Sequence, residues 1–175
     1  MKENTVNRVN KLLIILSAIT LAFVGIGVAQ LIDFGSVSTS DEIQKIVISI
    51  ICYGLTISSA VLLIINSIKN KLGLNENKLP IFLYLLSQAI SGFNQFYQNR
   101  AFITLIPFAI VIVTIIFYVL AIKNKKYNMC LLVFLSILAA LAFAGMWSSA
   151  ISLGDVTITL ALASIICLGK EEKTE

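Results

Sequence analysis

The chain has no histidine, only three cysteines and two prolines, and a single tryptophan among its 175 residues. Without imidazole there is no His-ligated metal, no histidine general base and no Ser-His or Cys-His nucleophile. Cys52, Cys130 and Cys167 each lie in an apolar run, far apart and without a CxxC spacing. They support neither a disulfide framework nor a zinc site, and read as small packing residues. Charge is scarce as well, at 13% of residues against about a quarter in soluble domains. No Asp, Glu, Lys or Arg is expected deep in any helix. That counts against intramembrane chemistry and against proton- or ion-coupled pumping, both of which place a charge there. HExxH and phosphate-cradling glycine loops are missing too. Neither an enzyme nor a metal or cofactor is expected.

What the chain has instead is apolar length: 58% hydrophobic residues and a mean hydropathy of +0.96. Six apolar stretches with short polar gaps predict an all-α polytopic membrane protein. It should form one compact bundle of six transmembrane helices in three antiparallel hairpins, since short gaps pair sequential helices. The spans are expected near 12–32, 43–68, 79–99, 101–122, 129–147 and 152–168, all within a single membrane domain. The charged tail, 169–175, is expected to be disordered. The first run could be a signal peptide, because GVA at 27–29 resembles a cleavage site; its length favours a retained signal-anchor helix. Pro80 suits the first turn of the third helix. IKNK at 68–71 recurs at 122–125, a pattern open to a duplicated two-helix unit or to ordinary lysine-rich helix ends.

The segment SQAISGFNQFYQNR (87–100) decides the wiring, because it turns polar before the third apolar run is long enough to cross. If residues 79–99 span, then Lys2, Arg8, Lys11, Lys69, Lys71, Lys78, Lys123, Lys125, Lys126, Lys170 and Lys173 share one side. Only Lys45 and Arg100 face the other. If they do not span, the basic residues divide almost evenly. Clustering of positive charge on the cytoplasmic side favours the six-helix arrangement, with both termini cytoplasmic in a multi-pass protein of the cell membrane. The net charge of +4 is thus a topology signal and not a nucleic-acid surface. Helical phase agrees. At ~100° per residue, Ser87, Gln88, Ser91, Asn94, Gln95, Gln98 and Asn99 all fall within about 80° of Tyr84. An amphipathic helix lying flat on the membrane would show the same segregation, though with more Lys and Arg on its polar face.

Amides and hydroxyls inside a bilayer need partners or a wet cavity. Tyr84, Gln88, Ser91, Asn94, Gln95, Gln98 and Arg100 are therefore the candidate ligand-binding residues, lining a vestibule open to the outside. Interhelical hydrogen bonding is the simpler use of the same stripe. Gly92 and Pro107 should lie at similar depth and favour a kink there. Arg100 either recruits an anion, with Asp33 or Asp155 as partner, or anchors the helix end among headgroups. Asp155 itself is expected at the membrane interface. Ala18, Ala22, Gly25 and Ala29 form a small-residue seam on the first helix, as do Ser49, Cys52, Thr56 and Ser59 on the second and Thr157, Ala161 and Ser164 on the sixth. Such seams drive close helix packing, by default within the monomer and alternatively against a partner. The fourth helix lacks one and should face lipid.

The function expected is a non-enzymatic binding or permeation unit for a small uncharged or weakly polar solute. The alternative is an accessory, immunity or sensory protein that docks on another membrane protein or a second copy of itself. The size, the six helices and the AxxxA of Ala18 and Ala22 resemble the substrate-binding membrane subunits of vitamin-type energy-coupling-factor importers. That resemblance covers one four-residue spacing and the architecture. It implies that Ala18 and Ala22 would meet a transport subunit, and it carries over no ligand-binding motif.

Overall fold

The computed structural model describes residues 3–32, 40–99, 102–145 and 151–171. It is all-helical, with no strand among the described residues: α1 Glu3–Ile32, α2 Ser40–Ile68, α3 Lys78–Asn99, α4 Phe102–Lys123, α5 Asn128–Gly145 and α6 Ile151–Glu171. A single 3-10 turn, Lys125–Tyr127, joins α4 to α5. These bounds follow the apolar runs closely. Two ends differ from expectation: α1 begins nine residues earlier than the apolar run at 12, and α6 continues to Glu171. Residues 172–175 of the tail, like Asp33, Arg100 and Trp147, lie outside the described residues.

Each helix packs on the next in sequence, and α6 returns to pack on α1. The contacts therefore run around the bundle and are not confined to hairpin pairs. Four helical segments are long and apolar enough to cross a membrane: 7–31, 42–68, 105–123 and 125–144. The apolar part of α6, 153–167, is shorter. Segment 79–99 is helical throughout, as its phase requires, but one polar face keeps it out of the set of strongly apolar spans. It does not lie across the bundle. Ser59 of α2 donates to the Pro80 carbonyl at 2.7 Å, while Cys52, two turns earlier, meets Ser87. On the other flank Tyr118 of α4 donates to the Lys78 carbonyl at 2.7 Å, and Phe108 packs beside Phe93. Rising residue numbers on α3 thus meet falling ones on both neighbours, so α3 runs antiparallel to α2 and α4.

The inward faces follow helical spacing. On α5 they are Leu131, Leu135 and Leu138; on α4, Val111, Thr114, Tyr118 and Ala121; on α1, Leu13, Ser17, Thr20 and Val24. These steps of three and four keep one stripe on one face. The opposite face of α4, with Ile112, Ile116 and Val119, is exposed, while Ile110, Ile115, Phe117 and Ile122 flank the core. Most of the apolar core gathers toward the end that carries the α2–α3 and α4–α5 connections. There Leu63, Ile81, Leu85, Leu131, Ile158, Leu162 and Ile165 are fully buried and form one cluster.

That same end is stitched by asparagines. Past the end of α2, Asn70 adopts a left-handed conformation (φ 55°), which its short polar side chain tolerates. Its amide bonds the Ser67 carbonyl, and the Lys71 amide bonds the Asn66 carbonyl. This pair of bonds is the Schellman ending of a helix. Asn10 of α1 donates to the Asn70 side chain, tying α1 to the loop. Asn77, 1% exposed, donates to the Lys71 and Gly73 carbonyls and accepts from Asn66. Arg8, Lys11, Lys69, Lys71, Lys78, Lys123, Lys125 and Lys126 are all exposed around this end.

Candidate binding site

Along the polar face of α3, exposure rises from one end of the helix to the other. Tyr84 is 1% exposed and Ser87 2%. Gln88, Ser91 and Asn94 are half-buried, and Gln95 and Gln98 are exposed. All of these share one helical face, so the gradient reflects how the bundle closes over that face. On the opposite face Phe82, Phe93 and Tyr97 are exposed throughout.

The buried end of the stripe meets α6, although α6 is not a ring neighbour of α3. Gln88 Nε2 donates to Asp155 Oδ1 at 2.8 Å. Tyr84 Oη donates to the Asp155 main-chain carbonyl at 3.4 Å, and Thr159 Oγ1 donates to that carbonyl as well. On the α2 side, Ser87 Oγ donates to the Cys52 carbonyl at 3.0 Å and lies 3.0 Å from Thr56 Oγ1. Cys52 Sγ lies 3.6 Å from the Ser87 carbonyl. Three helices therefore converge on one polar layer, with a single carboxylate in it.

Asp155 is where the structure departs from the sequence reading. It sits level with Gln88, the middle of α3, and not at the level of that helix's end. The reason is axial offset. At ~1.5 Å per residue, α3 runs on for about 16 Å beyond Gln88, whereas α6 starts only about 6 Å before Asp155. A residue near the start of α6 is consequently deep with respect to α3. The signal was present in the sequence: Asp155 is the lone acid in ISLGDVTITLALASIICL.

The rest of the stripe is placed less centrally. Asn94 Oδ1 accepts from Gln98 Nε2 at 3.1 Å, so these two amides pair along their own helix. Ser91 is half-buried and Gln95 exposed farther along the same face. Gly92 lies against α4, where a Cβ would meet the Phe108 Cα at 3.4 Å. Since Phe108 follows Pro107, the expected common depth of Gly92 and Pro107 is found.

The α1 seam is turned the other way from its default expectation. Ala18, Ala22, Gly25 and Ala29 are all exposed, and nothing lies within 4 Å of a Cβ built on Gly25. The face that packs within the chain is the one carrying Thr20 and Val24. Thr20 Oγ1 lies 2.8 Å from Thr157 Oγ1, and a Cβ on Gly154 of α6 would meet Val24 and Phe23 at 3.4 and 3.5 Å. Gly154 lies against this face in ordinary van der Waals contact, and the Thr20–Thr157 pair joins the two helices beside it. On α2 and α6, by contrast, Cys52, Thr56, Ser59 and Ala161 are buried as their seams predict.

Among the described residues no group of three metal-ligating side chains comes together. In comparisons with protein families, characterised proteins and solved structures, nothing matches this chain.

Proposed function

We propose that this is a six-crossing protein of the cell membrane that binds a small solute in a vestibule opening on the outer face. In this reading its helices form three antiparallel hairpins with both termini in the cytoplasm. The exposed basic residues around the sealed end support that orientation, because positive charge at helix ends is retained on the cytoplasmic side. One observation carries the functional reading. The polar face of α3 is closed at Tyr84 by a packed apolar core and becomes progressively open through Gln88, Ser91 and Gln95. Polar groups facing inward at membrane depth need water or a ligand, and a face closed at one end favours binding over free permeation.

Two experiments test this. Cysteine placed at position 100 should be labelled from outside and at position 124 from inside; the reverse at 124 removes the six-crossing model. Replacing Gln88, Ser91 and Gln95 together by leucine should abolish solute uptake or binding while the protein still folds.

The outward stripe Ala18, Ala22, Gly25 and Ala29 supports a second reading, in which α1 docks on a helix of another membrane protein. Loss of a co-purifying partner in Gly25→Leu, with solute binding intact, would favour it.

A further inference from the structure

We infer that the solute presents a primary ammonium group, held at the floor of the vestibule by Asp155. This rests on the vestibule reading and names what that site selects. A carboxylate inside a bundle is costly unless something compensates it. Among the described residues the compensation is a single amide: Gln88 engages Oδ1, and no described side chain engages Oδ2. No lysine or arginine among the described residues pairs with it. Asp155 is half-buried as a residue and meets the polar face of α3 at Gln88.

The groups beside that carboxylate suit a donor. Oδ2 of Asp155 and the amide carbonyl of Gln88 can each accept one of the three N–H bonds that an ammonium group has to donate. A divalent metal asks for six or more oxygens, which this floor does not offer. An anion would meet an uncompensated carboxylate. A neutral solute would leave that carboxylate unpaired. Above the floor, Ser91 and Gln95 suit a polar solute body.

The test uses the full chain in detergent with n-butylammonium as probe and n-butanol as its neutral counterpart, read by calorimetry. Butylammonium should bind the native protein. Asp155→Asn should weaken it by about tenfold or more, the scale of one charge-assisted contact, and Asp155→Glu should retain the preference. Butanol should bind no better to one than to the other. Size-exclusion profiles establish that the variants fold. A second measurement needs no change at Asp155. It uses Ser91→Cys in a background whose three native cysteines are replaced by alanine. There butylammonium should slow labelling by a water-soluble thiol reagent, and butanol should not.

Equal binding of amine and alcohol, or equal binding to native protein and Asp155→Asn, overturns the inference. So does the absence of amine binding when the thiol of Ser91→Cys is labelled, and in all three cases the vestibule survives. If the thiol at position 91 cannot be labelled at all, the vestibule itself is wrong and the inference falls with it.

Discussion

The two halves of this bundle are built from the same helices yet solve opposite problems. At the lysine-bearing end, apolar side chains from all six helices fill the interior, and asparagines close the α2–α3 connection. Toward the other end the facing side chains are Thr20, Thr56, Ser87, Gln88, Thr157 and Asp155, and exposure along the polar face of α3 increases. Dispersion and shape hold the first half together, hydrogen bonds across helices the second. The difference is informative because a chain that only needed to be stable would pack both ends alike. Polar interhelical contacts are worth about 0.6–2 kcal/mol each in a membrane, less than a well-packed leucine.

That contrast can be broken by substitution. The largest effect is expected at the sealed end, where Leu162→Ala should cost about 2–5 kcal/mol of stability, while Gln95→Ala at the opening should stay within about 0.5 kcal/mol. Reversible unfolding in mixed micelles reads both. Similar losses at the two sites would erase the distinction between halves. Next comes Asp155→Ala, which leaves Gln88 without its partner and should cost about 1–3 kcal/mol. Adding Gln88→Leu should recover part of that loss, and a double-mutant cycle with no coupling would mean the 2.8 Å contact does not hold α3 to α6. A smaller effect, of opposite sign, is expected at Ser17, whose hydroxyl is buried without a partner among the described residues. Ser17→Ala removes an unsatisfied group and should be neutral or raise stability by up to about 1 kcal/mol. A marked loss there would show that the hydroxyl has a role in the polar layer.

Most element bounds were legible because apolar runs, lysine-rich ends and Pro80 mark them directly. The polar stripe of α3 was legible for the same kind of reason, since its phase is a local property of residues 84–99. Two features were not. Asp155 looks interfacial when α6 is read alone; its depth depends on how far α6 starts below the end of α3, which is a relation between helices. Likewise α1 carries two stripes of permissive residues on an apolar cylinder, Ala18-Ala22-Gly25-Ala29 and Ser17-Thr20-Val24. Which one packs inward depends on α6, more than a hundred residues away, where Thr157 and Gly154 meet Thr20 and Val24. Periodicity supplies faces, and only the partners say which face is used.

The central claim is that water reaches the polar face of α3 from one side and stops at the apolar core. Cysteine accessibility measures it directly, in a background with Cys52, Cys130 and Cys167 replaced by alanine. A membrane-impermeant thiol reagent added outside intact cells should label Ser91→Cys readily and leave Ala161→Cys, buried in the sealed half, unmodified. A silent position 91, or equal labelling at 91 and 161, would contradict it.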